Sequence, residues 1–101
     1  MNTVEQTREA FNAWMCATRS AALRLCRPGG LYDGIEGCRR FARECAPVLL
    51  DFGEYGRNSI GATYGAICVI SYQLKPPVDA AQWICWMREK LEELERHKNE
   101  R

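Results

Sequence analysis

The chain has 101 residues, of which 47% are hydrophobic and 27% charged, and its formal net charge is +1. This length suits one domain, and the composition excludes a disordered or fibrous chain. The near-neutral balance weighs against a dedicated nucleic-acid-binding domain, which carries a clear basic excess. The start, MNTVEQTREAF, lacks the basic stretch and apolar run of a secretory leader, so a cytoplasmic protein is expected. Residues 58–74, the longest uncharged stretch, are short and polar for a bilayer span, so no membrane association is expected.

Thr3 followed by Gln6 is a capping-box signature, and Val4, Phe11, Trp14, Met15, Thr18, Ala21, Ala22 and Leu25 recur at helical spacing. A first helix is expected over 4–25, stopped by Arg27-Pro28-Gly29-Gly30. Asp33 and Glu36 form a second box, and Ile35, Cys38, Ala42 and Cys45 share a face, giving a helix over 34–45. Pro47 kinks that helix or opens a new turn, with a short continuation over 47–54 ended by Gly53 and Gly56. Ser59 caps a third long segment, 59–74, whose apolar residues surround it as in a central element. Ile67, Val69, Ile70 and Tyr72 also suit a strand, but length favours the helix, in which Gly61 and Gly65 make a smooth strip for close packing. Lys75-Pro76-Pro77 breaks the chain, and Asp79 with Gln82 opens a last helix over 80–98. The expected fold is all-α: one domain, residues 1–101, forming a compact bundle of about four helices joined by short Gly/Pro turns.

The last helix has two characters. Ala80, Ile84, Met87, Leu91 and Leu94 fall on one stripe with Trp83 at its edge, whereas most residues from Arg88 onward are charged. Such a helix is marginal in water unless another helix covers it. That cover is either an internal neighbour or the same helix of a second copy. The expectation is a homodimer with Trp83, Trp86, Met87, Leu91 and Leu94 at the interface, because aromatic anchors are common at interface centres.

Six cysteines and a single histidine form no close ligand pair, so no metal site or cofactor is expected. Cys38 and Cys45 on one helix lie about 10 Å apart, beyond disulfide reach. Cysteine here reads mainly as a small buried apolar residue. Cys26 beside Arg27, at a predicted helix end, is the one thiol with a hint of the cationic setting a reactive thiolate needs. Asp51 and Glu54, near Tyr55, are a dyad without a histidine or lysine, and the loop Gly56-Arg57-Asn58-Ser59 is a weak anion-holding candidate at a helix start. No catalytic residue is assigned.

The clearest chemical feature is a run of arginines. Arg19, Arg24 and Arg27 lie toward the end of the first helix and Arg39, Arg40 and Arg43 on the second, where the wheel sets them opposite Ile35, Cys38 and Cys45. Solvent-facing guanidinium groups grip phosphates or the carboxylates of an acidic partner; the plain alternative is a solvated face with local pairs such as Glu36 with Arg40. Arg24, Arg27, Arg39, Arg40 and Arg43 are therefore the candidate partner-binding residues. The expected function is non-enzymatic protein–protein interaction, as a small inhibitor, adaptor or assembly subunit. The size and the want of catalytic apparatus also suit an inhibitor of the kind carried by phages or mobile elements. The alternatives are a nucleic-acid-binding subunit that uses the arginine faces, and a cysteine-based redox sensor or enzyme.

Overall fold

The computed structural model describes residues 3–53, 72–74 and 77–99. Three helices lie among them: α1, Val4–Leu25; α2, Gly34–Asp51; and α3, Ala80–Asn99. No strand occurs among the described residues. Residues 59–71 of the expected third helix, the end of the 47–54 continuation, the partners of the Asp51 dyad and the Gly56–Ser59 loop fall outside the described residues; the last three residues of that expected helix, 72–74, form a turn instead.

α1 starts where its capping box demands. Thr3 Oγ1 accepts from the Gln6 N–H at 3.1 Å, and Gln6 Oε1 accepts from the Thr3 N–H at 2.9 Å, so two donors without helical partners are satisfied reciprocally. Only Phe11 and Ala22 of this helix are fully buried, and Val4, expected on its inner face, is exposed. Phe11 and Trp14 close a ring cluster with Phe52 just past α2, at centroid separations of 5.5 and 6.1 Å from it. α1 is thus tied to the far end of α2 by aromatic contacts.

α2 departs from expectation in three ways. The second capping box does not form: Asp33 is the N-cap residue, but its carboxylate accepts from the Gly29 N–H at 3.1 Å and makes no bond to its own helix. The carboxylate is captured by the preceding turn. Pro47 neither ends nor restarts the helix, which runs through it to Asp51. Proline's fixed φ is helical and its penalty is one lost backbone bond, which the burial of Ala46 and Leu49 on either side offsets. Gly53, at φ +63°, then supplies the left-handed turn. Third, Ile35 is 48% exposed although it lies on the buried azimuth. It occupies the first turn, and the packed face is carried by Cys38, Phe41, Ala42, Ala46 and Leu49.

α3 packs along α2. Asp79 Oδ1 accepts the Ala81 N–H at 2.9 Å, capping its start. Ala80, Trp83, Met87 and Leu91 are buried, while Ile84, Trp86 and Leu94 are half-buried. Trp83 is therefore at the centre of the face rather than its edge. Its ring meets Phe41 edge-on at 6.2 Å and Trp86 at 6.0 Å, so the helix pair is keyed by aromatic rings. Trp83, Met87 and Leu91, expected at a homodimer interface, are instead buried within the chain's own core, which leaves them no surface to offer a second copy.

Candidate interaction site

Two of the expected partner-binding arginines are engaged inside the molecule. Arg39 and Arg43 are one turn apart on α2 and flank its packed face, and Glu89 and Glu93 are one turn apart on α3. Arg39 pairs with Glu89 at 3.2 Å; Arg43 reaches Glu89 at 3.6 Å and also pairs closely with Glu93. Lys90 adds a contact to Glu93 at 3.4 Å. The Arg43 guanidinium, then the Lys90 ammonium, hold the Glu93 carboxyl below its ordinary range. The solvent-facing arrangement expected for Arg39 and Arg43 is thus corrected: the carboxylates they meet belong to the charged half of α3. Glu36 is not the partner of Arg40, whose guanidinium lies 4.9 Å from the Tyr32 ring centroid and donates to the Leu31 carbonyl at 3.1 Å.

That Arg40 contact leads to a feature the sequence did not advertise, the turn between α1 and α2. The helix ends with the Cys26 N–H donating to the Ala22 carbonyl at 2.9 Å. Pro28 prevents continuation, and Gly29 takes φ +83°. The turn is then fastened from several sides. Gly30 N–H donates to the Arg27 carbonyl at 2.9 Å, Tyr32 N–H to the Leu25 carbonyl at 2.8 Å, and Gly29 N–H to Asp33. The Tyr32 ring stands edge-on to Phe41 at 5.4 Å and its hydroxyl donates to Glu44, which raises the Tyr32 pKa. Gly37 lies so close that a Cβ there would fall 2.3 Å from the Tyr32 carbonyl carbon and oxygen.

These ties do not bury the turn's apolar side chains. Leu31 is 71% exposed and stands with exposed Ile35 at the start of α2. Arg24 and Arg27 are exposed at the end of α1, and Arg40 is exposed above Tyr32. Of the six arginines named from sequence, these three are exposed; Arg19, Arg39 and Arg43 are half-buried. The backbone of the turn is thus fixed while the Leu31 side chain faces water. Sequence reading assigned Ile35 to the core and passed over Leu31. The available signal was the isolated aliphatic inside a Gly/Pro turn, where no helical periodicity can bury it.

The same region holds three thiols. Cys26 and Cys38 are 1% and 2% exposed, and Cys45 is half-buried on the same face of α2. The neighbouring Cys38 thiol, then burial, drives the Cys26 pKa up, whereas Cys26 lowers that of Cys38. Cys45 is pushed up to about 12, first by burial and then by Glu44. Cys26, singled out for its neighbour Arg27, is therefore not the free thiolate a nucleophile needs: burial withdraws it from that guanidinium, which points outward. Cys16 and Cys85 are exposed. Among the described residues no group of three or more His, Cys, Asp and Glu is placed to hold a metal ion, and no helix is long and apolar enough to cross a membrane.

The sequence matches no protein-family model, and neither curated proteins nor solved structures give a match.

Proposed function

We propose that this chain is a non-enzymatic protein-binding module, acting as a small inhibitor, adaptor or assembly subunit, and that it docks through the α1–α2 turn. Leu31 and Ile35 enter an apolar recess on the partner, and Arg27 and Arg40 face carboxylates at the rim. The observation that supports this is the fastened turn with Leu31 held 71% exposed. The nucleic-acid reading loses ground, because Arg39 and Arg43 are paired with Glu89 and Glu93 and no longer add to a basic face.

The test is quantitative capture from lysate, with and without nuclease, by the wild type and by Leu31→Asp with Ile35→Asp. Both side chains are exposed, so the double variant keeps its stability within about 0.5 kcal/mol. Expected is a protein retained by the wild type and lost by the variant, with affinity reduced about thirtyfold or more. A partner retained equally by both would overturn the assignment of the site. Retention that vanishes with nuclease, and depends on Arg24 and Arg27, would replace the reading with nucleic-acid binding.

A further inference from the structure

We propose that the Asp33 carboxylate is a two-position latch on the α1–α2 turn: on the Gly29 N–H it holds the turn closed, and rotated onto its own helix it caps α2 and lets the turn go. Two observations meet at this residue. Asp33 stands at the N-cap of α2, and its backbone, at φ −65° and ψ 143°, already has the geometry of a capping residue. Yet its side chain makes no cap bond there; Oδ2 accepts instead from the Gly29 N–H at 3.1 Å. Moving the carboxylate from one site to the other therefore needs rotation of the side chain and no change in the Asp33 backbone. There is room for it. Asp33 is exposed, and with Glu36 it lines an open concavity of about 780 Å³ along α2.

The two sites are closely matched. Each offers the carboxylate a charge-assisted bond from a backbone N–H. The cap site adds the favourable field at the start of an 18-residue helix and, three residues on, Glu36, whose carboxylate can accept in return from the Asp33 N–H. The turn site adds closure of the turn itself, where Gly29 takes φ +83°. The other backbone donors of the turn, Gly30 to Arg27 and Tyr32 to Leu25, end on carbonyls, whereas the acceptor of Gly29 is a side chain that can leave. The consequence lies in what the turn displays. Leu31, two residues beyond Gly29, is 71% exposed, and release of Gly29 loosens the segment that holds it there. A partner that needs the closed turn binds only the fraction of molecules with the carboxylate on Gly29, so its apparent affinity is reduced by that fraction. This effect on binding rests on the docking role proposed above; the movement of the carboxylate between its two sites does not.

The test is solvent exchange of the Gly29 amide, followed by NMR in the full chain. Asp33→Ala removes the acceptor, and exchange should quicken by about tenfold. Glu36→Ala withdraws the reciprocal bond from the cap site and leaves the turn site intact, so the carboxylate should shift toward Gly29 and exchange there should slow by about threefold. Glu36→Gln, which keeps the capping box, should behave as the wild type. The sign discriminates, because a general loosening of the first turn of α2 would quicken exchange, and Glu36→Gln carries the same change of charge as Glu36→Ala. These variants alter exposed residues, so the fold is kept. Exchange at Gly29 that is equal or faster in Glu36→Ala than in Glu36→Gln would overturn the latch, as would exchange indifferent to Asp33→Ala. Slower exchange in Glu36→Ala beside capture indifferent to Leu31 would sink the docking role alone; Leu31-dependent capture with Gly29 exchange unmoved by Glu36→Ala would sink the latch alone.

Discussion

At the scale of single residues, the tightest constraint is at glycines that serve different purposes. Gly37 is required by proximity, since a Cβ would meet the Tyr32 carbonyl at 2.3 Å, whereas Gly29 has φ +83° with nothing within 4 Å of a Cβ. Gly29→Ala should therefore lose about 1–2 kcal/mol of stability through backbone strain with the turn intact. Gly37→Ala should lose about 1–3 kcal/mol and also disturb Tyr32, because backbone rather than a flexible side chain stands in the way. Urea titration measures the first quantity, and the NMR ring resonances of Tyr32 follow the second. Trp83 gives a sharper contrast. Its indole N–H is buried and has no hydrogen-bond partner, so the ring alone carries the stabilisation. Trp83→Phe should cost less than about 1.5 kcal/mol, as a swap that keeps an aromatic ring against Phe41. Trp83→Ala should cost about 3–5 kcal/mol through the cavity it leaves. Equal losses in chemical denaturation would show that the ring is not what the core uses.

At the scale of elements, the decisive contact is α2 on α3, where an aromatic centre is flanked by ion pairs. The pairs are half-exposed, so their role is to fix which faces meet more than to add stability. A double-mutant cycle of Arg39→Met with Glu89→Gln should give a coupling of at most about 1 kcal/mol, falling as salt is raised. Glu93 supplies the pH dependence. Its folded pKa lies below the unfolded value because Arg43 and Lys90 stabilise the carboxylate. Its contribution is therefore present above the ordinary carboxylate range and is lost as pH falls through the lowered folded pKa. Melting temperature should drop on acidification more for the wild type than for Glu93→Gln. Parallel curves would show that the pair does not contribute.

At the scale of the whole molecule, α3 spends its apolar face internally. Leu91→Asp places a charge in the core, so it should lower the melting temperature sharply without changing the mass of the folded species in light scattering. A wild type of double mass that Leu91→Asp converts to a stable single chain would show instead that this face serves a second copy. The proposed docking surface is the α1–α2 turn, which carries Leu31 and Ile35 with exposed Arg27 and Arg40. Leu31 lies outside the aromatic core, so changes there should separate binding from folding.

Local chemistry alone determined much of this protein. The Thr3–Gln6 box, the stop at Pro28 and Gly29, the 4–25 helix and the start of α3 at Asp79 depend on residues within one turn of each other, and the sequence displays them all. Amphipathic spacing also marked Met87 and Leu91 as buried. What covers them, and where the charged groups end, was decided by tertiary contact. Arg39 and Arg43 look solvent-facing on an isolated wheel, and become part of an interface only because α3 brings Glu89 and Glu93 alongside. Asp33 has the right residue type for a helix cap, yet the turn before it takes its carboxylate. Pro47 is a helix breaker by local rule, but packed neighbours on both sides carry the helix through. Ile35 is apolar at the right azimuth and still exposed, because burial requires an element above it and none of the described helices lies over that first turn. Periodicity reports which side of a helix is apolar; only the arrangement of helices determines how far along that side the cover extends.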